Sequence, residues 1–388
     1  MDASFQFFAV RHRWWGRAWS NSLMKRMQKP ASYVLSLATM MVVGCAGAVP
    51  FDSTKAILKA VPVTEYHAYG DSITYGLTLK DPATQAYPVL VAALKQVPMA
   101  NYAISGDQAC DVPKRQIFRN QESPTLATHM EYSVLIGTND VVHKGTGAYE
   151  SVFVLCHQAA ISWLALPAEY KVLAGGSGVT TTGAGGMDSS NHWNAWTTAG
   201  QGSTVSFAIT MAVPGPLYAW PRINDEDPAT YTYALDGILL GSASTQTTPR
   251  IATYNGSTDS LGFLRLSMVQ AGNHVITFTQ TSSGANGVSV VGIGTPRGAA
   301  TNTLPTVLVG TVPYQFNSSK CTPSSDAPCS EYILDIEADV NLFAGDGLDV
   351  RLFDTRNYML GTAAEMNDSL HPNVLGQTEL SQSVEASW

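Results

Sequence analysis

The sequence predicts an α/β protein built on a parallel sheet and interrupted by an inserted all-β sandwich. Strand-like and helix-like segments alternate from Tyr66 to Pro167 and again from Thr306 to the C-terminus, as a parallel sheet covered on both faces requires. Between them, from about Val172 to Pro296, helical periodicity disappears. Short alternating runs separated by Gly, Asn and Ser take its place, which is the pattern of a β-sandwich. Only 13% of the 388 residues are charged, about half the roughly 25% of an average globular chain, and this suits an exported, strand-rich protein. The divisions read as an export segment at 1–48, a first α/β part at 51–170, the insert at 171–298 and a second α/β part at 299–388.

The elements follow in order. Tyr66–Tyr69 is a short strand ending at Gly70. Tyr87–Lys95 reads as a helix with Val89, Leu90, Ala93 and Leu94 on its apolar face. Asn101–Ser105 is strand-like and ends at Gly106, and Tyr132–Ile136 is an apolar strand ending at Gly137. Ser151–Leu166 is a long apolar helix closed by Pro167. In the insert, Thr204–Met211, Tyr231–Leu235, Phe263–Met268 and His274–Thr279 alternate as strands. Gly175–Gly186, dense in Gly and Thr, reads as a mobile linker. Both borders of the insert are Gly-, Thr- and Pro-rich, as where few contacts cross. The α/β pattern resumes with a strand at Thr306–Gly310, a helix at Glu331–Phe343, a strand at Leu348–Phe353 and a closing helix at Val374–Ala386.

The N-terminal region reads as an export signal. Arg11, Arg13, Arg17, Lys25 and Arg26 precede an apolar run from Tyr33 to Val43, too short to span a bilayer comfortably. The run ends in V-V-G-C, Val42 to Cys45. This is similar to a bacterial lipobox with Cys45 as the lipidated residue; the alternative is cleavage after Ala46-Gly47-Ala48. The chain is thus expected to be exported, either lipid-anchored to the cell envelope or secreted or periplasmic, touching a membrane only through that anchor. The five cysteines fit this. With Cys45 set aside, Cys321 and Cys329 flank a short loop and pair with each other, leaving Cys110 with Cys156. No Cys/His spacing suits a structural zinc, so no metal is expected. A formal charge of −8 without a basic stripe excludes a nucleic-acid partner.

Four short motifs carry chemistry: G-D-S-I-T at Gly70–Thr74, S-G at Gly106, G-T-N-D at Gly137–Asp140 and D-S-L-H-P-N at Asp368–Asn373. Three lie just past strand ends, where open α/β sheets bind ligands. Together, in this order, they resemble the SGNH (GDSL-like) hydrolase family over Tyr66–Pro167 and Thr306 to the end. The resemblance implies a flavodoxin-like sheet, ester hydrolysis and no cofactor. It implies Ser72 as nucleophile, His371 as base, Asp368 as its orienting carboxylate, and an oxyanion hole from Ser72, Gly106 and Asn139.

The residue types suit these roles. A serine hydroxyl is a weak nucleophile and needs a base within hydrogen-bond reach. Imidazole titrates near neutrality, and a carboxylate three residues earlier can fix its tautomer. Asp71 and Asp140 read as structural, Asp140 orienting the loop after Asn139. His67, His129, His143, His157, His192 and His274 have no matching partner. The insert's Trp193, Trp196, Tyr218, Trp220, Tyr231 and Tyr233 read first as core filling, and any that are exposed can stack on sugar rings. The sequence therefore points to removal of acetyl or other short acyl groups from a small-molecule or polysaccharide ester. A lipid or aryl-ester esterase is the alternative, and a non-catalytic binding lipoprotein is the alternative of another class.

Overall fold

The computed structural model describes residues 62–388 apart from 145–146, 148, 190–193, 252–257, 284–286, 297–303 and 319. The segment expected to direct export, with Cys45, and also His192 and Trp193 lie outside the described residues.

The α/β half holds β1 (Glu65–Gly70), β2 (Met99–Asn101) and β3 (Met130–Leu135) before the insert. The insert supplies β4 (Lys171–Leu173), β5 (Val179–Thr182), β6 (Gly185–Asp188), β7 (Ala195–Thr198), β8 (Thr204–Met211), β9 (Gly215–Asn224), β10 (Thr230–Leu235), β11 (Ile238–Ser244), β12 (Asp259–Leu261), β13 (Leu264–Val269), β14 (Gly272–Gln280) and β15 (Ser289–Gly294). After it come β16 (Thr306–Gly310) and β17 (Asp349–Phe353).

The first sheet runs β2-β1-β3-β16-β17 and every pairing in it is parallel. β3 and β16 are buried along their whole length, as strands covered on both faces must be. Tyr66 and Ala68 of β1 pack on one face against Leu380 and Val384 of the C-terminal helix Val374–Ser387. Tyr69, Val134, Val307 and Val309 face the helices Glu150–Ala165 and Ala327–Gly345. Strand order reverses between β1 and β3, which places a crevice at their carboxyl ends. Gly70 is level with Leu135 there, so the segments after β1 and β3 leave the sheet side by side.

The insert forms two antiparallel sheets. One runs β11-β10-β14-β8-β5; the other runs β12-β9-β15-β7-β6, with β13 on β9 and β4 on β15. Val205 and Phe207 of β8 and Ile276 and Phe278 of β14 meet Leu217 and Ala219 of β9 and Val290 and Ile293 of β15 in a shared core.

Three sequence expectations are corrected. Gly175–Gly186 is no linker, because β5 pairs with β8 and β6 with β7. β2 is Met99–Asn101 rather than Asn101–Ser105, although the amides of Tyr102 and Ile104 still donate to Ala68 and Gly70. The helix Tyr87–Lys95 buries Tyr87, Pro88, Val91 and Ala92 and leaves Leu94 exposed. That helix is apolar nearly all round, so its periodicity does not choose a face.

The larger difference is at the seam. Alternation along β9 sends Leu217 and Ala219 into the sandwich and Tyr218 and Trp220 into the α/β core. The Trp220 ring meets Trp163 edge-on at 5.1 Å, and its indole N–H donates to Ser162 Oγ at 3.0 Å. Tyr218 donates to Asp346 at 2.6 Å, and Arg265 grips the same carboxylate through two nitrogens at 2.8 and 2.6 Å. Ser260 Oγ donates to the Cys110 carbonyl at 2.7 Å. Many contacts cross the border, and the two halves share one core. Trp220→Ala is therefore expected to cost about 3–5 kcal/mol, the range for a buried Trp truncation. Urea melts of the two proteins check this, and a loss under about 1 kcal/mol would mean the seam is not a core.

Candidate active site

Ser72 opens a short helix, Ser72–Tyr75, directly after β1. Asp71 caps it, accepting from the Ile73 N–H at 2.9 Å. Gly70 carries φ +159, and a Cβ there would overlap both Thr74 Oγ1 and the Leu135 carbonyl, so no larger residue fits this turn. Ser72 itself is 4% exposed.

His371 reaches the serine from the far end of the chain, with Nε2 at 3.0 Å from Ser72 Oγ. Its Nδ1 is 2.8 Å from Asp368 Oδ2, while Asp368 Oδ1 accepts the backbone N–H groups of Leu370 and His371, each at 2.7 Å. Partial burial pushes the Asp368 carboxyl up, but these three donors outweigh it and hold the group below its ordinary value. A carboxylate on Nδ1 fixes the proton there and leaves Nε2 free to accept the serine proton. The His371 loop is pinned at both ends. Asn367 N–H donates to the His371 carbonyl at 2.8 Å, and Asn373 caps the C-terminal helix. Gln377 on that helix donates to the Ile73 carbonyl at 3.0 Å and accepts from the Tyr87 N–H at 2.8 Å.

Gly106 occupies the third position of a turn closed by Asp107 N–H to the Ile104 carbonyl at 3.2 Å. Its φ of +85 is the conformation that glycine adopts freely there. Asn139 lies in the first turn of the helix Thr138–Lys144, and its amide donates to the Asp107 carbonyl at 3.0 Å. One amide hydrogen thereby ties the two loops together, and the second remains to donate elsewhere. Asp140 accepts from the Ala109 N–H at 3.2 and 3.3 Å. It thus holds the neighbouring loop.

Sequence reasoning missed the residue that ties these loops to the serine. Gln116 is fully buried in a π-helix, Val112–Phe118. Its side chain accepts from the Gly70 N–H at 3.0 Å and donates to the Gly70 carbonyl and to Asp107 Oδ2, both at 2.8 Å. Arg115 pairs with the other Asp107 oxygen at 2.6 Å. The disulfide Cys110–Cys156 fastens the start of the π-helix to the long helix Glu150–Ala165, and Cys321–Cys329 closes a loop ahead of the helix Ala327–Gly345. No local motif announces Gln116; a π-helix is the kind of distortion that marks functional sites, but it leaves no sequence pattern.

His67, His157 and His274 pair with Glu122, Asp339 and Asp236. Among the described residues, no group of three or more His, Cys, Asp or Glu is arranged to hold a metal ion.

Two buried acids under the site give a pH signature. Burial first, and the charge of Asp107 second, push Asp71 from 3.8 up to about 7, against the pull of its backbone donors. Burial likewise lifts Asp107 to about 7 despite Gln116 and Arg115. Between these pH values the folded state holds more protons than the unfolded chain, so the stability these groups contribute falls as pH rises from about 4 to about 7. Asp71→Asn keeps an acceptor for the Ile73 N–H and removes the titration. The variant is expected to lose less stability than wild type between pH 4.5 and 7, in denaturant melts taken at intervals of about half a unit. Identical slopes would show that Asp71 does not titrate there.

No family model and no curated protein matches the chain. Among solved structures, it is similar to a two-domain esterase (CEX) active on acetylated mannans, co-crystallised with mannopentaose. The TM-score is 0.36 and the identity 11%, over 61% of this chain and 92% of that one. It is also similar to a family 35 carbohydrate-binding module from an environmental isolate, at TM-score 0.26 and 11% identity, over 32% of this chain and 90% of that one. A family 35 carbohydrate-binding module from Clostridium thermocellum gives TM-score 0.26 and 17% identity, over 32% of this chain and 96% of that one. At such scores these likenesses add nothing to the reading of the site, which stands on its own geometry.

Proposed function

We propose that the chain is a serine carboxylic-ester hydrolase of the SGNH type that removes short acyl groups, acetyl above all, from carbohydrate. The observation that carries the proposal is the unbroken hydrogen-bonded series Asp368–His371–Ser72 at the carboxyl end of β1. The loops of Gly106 and Asn139 are fastened to the same strand end through Asp107 and Gln116. Strand order 2-1-3-4-5, counted within the parallel sheet, supports the flavodoxin-like assignment.

In this mechanism His371 Nε2 takes the Ser72 proton as Oγ attacks the ester carbonyl. The oxyanion that forms is met by the backbone N–H groups of Ser72 and Gly106 and the remaining amide hydrogen of Asn139. Protonated His371 passes its proton to the departing sugar oxygen, leaving an acyl-serine. Water, deprotonated by the same imidazole, then releases the acid. Asp368 stabilises the imidazolium and stays ionised. The substrate class is supported by the architecture, a hydrolase-like parallel sheet interrupted by a β-sandwich. Export belongs to the proposal, with Cys45 as the lipidated residue or cleavage after Ala48. The two disulfides support it.

The mechanism predicts a graded series in a chromogenic acetyl-ester assay. Ser72→Ala abolishes turnover with folding intact, His371→Ala costs nearly as much, and Asp368→Asn costs less. Asn139→Ala lowers kcat by about 10²–10³ with little change in KM. Full activity in Ser72→Ala, or no turnover of any ester by folded wild type, sinks the proposal. Gln116 is proposed as a positioning residue. Gln116→Ala should lower kcat at least tenfold or so and spare KM. In Gln116→Glu the activity relative to wild type at the same pH should rise toward low pH, where the new carboxyl is protonated and can donate again. A wild-type kcat and pH profile in both variants would remove Gln116 from the machinery.

A further inference from the structure

On the insert, a cavity of about 240 Å³ is lined, among the described residues, by polar side chains alone. It lies on the second sheet of the sandwich. Val290 and Trp196 pair across β15 and β7 and pack with the sandwich core. Their neighbours Ser289 and Thr197, also paired, point to the opposite face, with their hydroxyls 2.5 Å apart. Arg222 crosses the cavity, one guanidinium nitrogen 2.7 Å from Asp188 and the other 2.6 Å from Asp259. Lys114, from the π-helix of the α/β half, pairs with the second oxygen of Asp259. The cavity therefore adjoins the seam between the halves, a preferred place for ligand sites.

Its chemistry selects the occupant. Both ends of the Arg222 guanidinium are already held by carboxylates, so a phosphate or carboxylate ligand would meet negative charge without a spare cation. The Asp188 and Asp259 carboxylates are already paired with Arg222 and Lys114, which disfavours a metal ion. The described walls offer almost no apolar surface for a lipid or aryl group. What remains is a neutral ligand rich in groups that both donate and accept hydrogen bonds. Asn224 and Glu226 stand ready for it. Asn224 Oδ1 is occupied by the backbone N–H groups of Glu226 and Asp227 at 3.1 and 3.3 Å, which leaves its two amide hydrogens as donors. Glu226 is exposed. The volume lies below the roughly 300–1,000 Å³ of drug-sized pockets and suits a single sugar ring.

We infer that this cavity is a binding subsite for one neutral sugar unit of the glycan whose ester Ser72 cleaves. The inference rests on the carbohydrate-ester reading, and the structure ties the two places together. Lys114, Arg115 and Gln116 are consecutive, and they hold respectively the cavity wall at Asp259, the Asp107 carboxylate and the Gly70 turn before the serine. One glycan spanning this element would seat a ring in the cavity and present an acylated ring to the site. Recognition here is by hydroxyl groups, without a stacking platform among the described walls.

The test uses the Ser72→Ala chain, so that binding is read without turnover. Calorimetric titrations are made with unacetylated manno-, xylo-, cello- and galacto-pentaose, and separately with calcium chloride and inorganic phosphate. At least one pentaose should bind with a Kd of about 1 mM or tighter. Asn224→Ala and Glu226→Gln, each shown folded by circular dichroism, should each weaken that binding at least tenfold or so. No binding by any pentaose, unchanged affinity in both variants, or binding of calcium or phosphate in place of sugar overturns the subsite. The catalytic reading fails separately. Pentaose binding lost in the variants, with no ester turned over by wild type, keeps the subsite and removes the esterase. Ester turnover by wild type with no pentaose binding does the reverse.

Discussion

A 3.0 Å hydrogen bond joins side chains 299 residues apart, Ser72 Oγ and His371 Nε2, and most of the α/β half can be understood as what that bond requires. Its two ends are carried by elements that cannot drift separately. The serine follows a strand buried between two neighbours, and the histidine precedes a helix packed on that strand's face. Gln377 then stitches the helix to the Ile73 carbonyl, one residue past the serine. A hydrogen bond between two exposed loops would contribute little and open often. Between elements fixed by a shared core, the geometry is settled before any ligand arrives, and that preorganisation is where catalytic sites gain their rate.

The insert bears on the same constraint from the other side. The strands β9 and β15 of its second sheet are buried on both faces, one in the sandwich and one against the α/β half, where Trp220 meets Trp163 of the helix Glu150–Ala165. That helix carries Cys156, and through the disulfide to Cys110 it anchors the π-helix that holds Gln116. Lys171, fully buried at the border, shows how tight the seam is. Its amino group donates to the Trp163 carbonyl at 2.8 Å and lies 4.2 Å above the Trp163 ring. Burial there lowers its pKa well below the ordinary lysine value, because the low-dielectric surroundings disfavour the charged form.

What was legible in the sequence was local. Gly70, Gly106 and Gly137 end strand-like runs, and each adopts a positive φ. Ser72 and Asn139 sit just past two of these glycines, and Asp368 and His371 share one short C-terminal motif, so local patterns locate them. The mixed parallel and antiparallel organisation was equally readable, because a change from helical to alternating periodicity is a change along the chain. Position in space was not. β5 and β6 are largely exposed, Thr- and Gly-rich strands, and a strand with no buried face has no alternation to detect. Tyr218 and Trp220 alternate with Leu217 and Ala219 just as they would if only one face were buried, so the run does not reveal a second core behind the sheet. Gln116 and Gln377 act through backbone atoms distant in sequence, and a glutamine in an apolar stretch carries no sign of its partner.

Four buried carboxyl groups, Asp71, Asp107, Asp111 and Asp140, lie in the loops around the serine turn and its neighbours, and their arrangement answers an electrostatic problem. Each loop that presents a donor to the site has backbone N–H groups of its own that burial would leave unsatisfied. Asp71 takes the Ile73 N–H, Asp140 the Ala109 N–H, and Asp111 the Gln108 N–H. Ionised carboxylates would do this well but would set negative charge beside any oxyanion forming at Ser72, where it is least welcome. Burial resolves the conflict in part. It pushes Asp71 to about 7, so that this acid is only part-ionised near neutrality, and it raises Asp140 well above its ordinary value. Asp107, closest in the chain to Gly106, keeps an arginine at 2.6 Å and the Gln116 amide at 2.8 Å. The loops thus gain their acceptors, while the field at the serine stays weaker than free carboxylates would make it. The cost appears as stability lost as pH rises from about 4 to about 7, toward the region in which imidazole is unprotonated and the proposed chemistry would run.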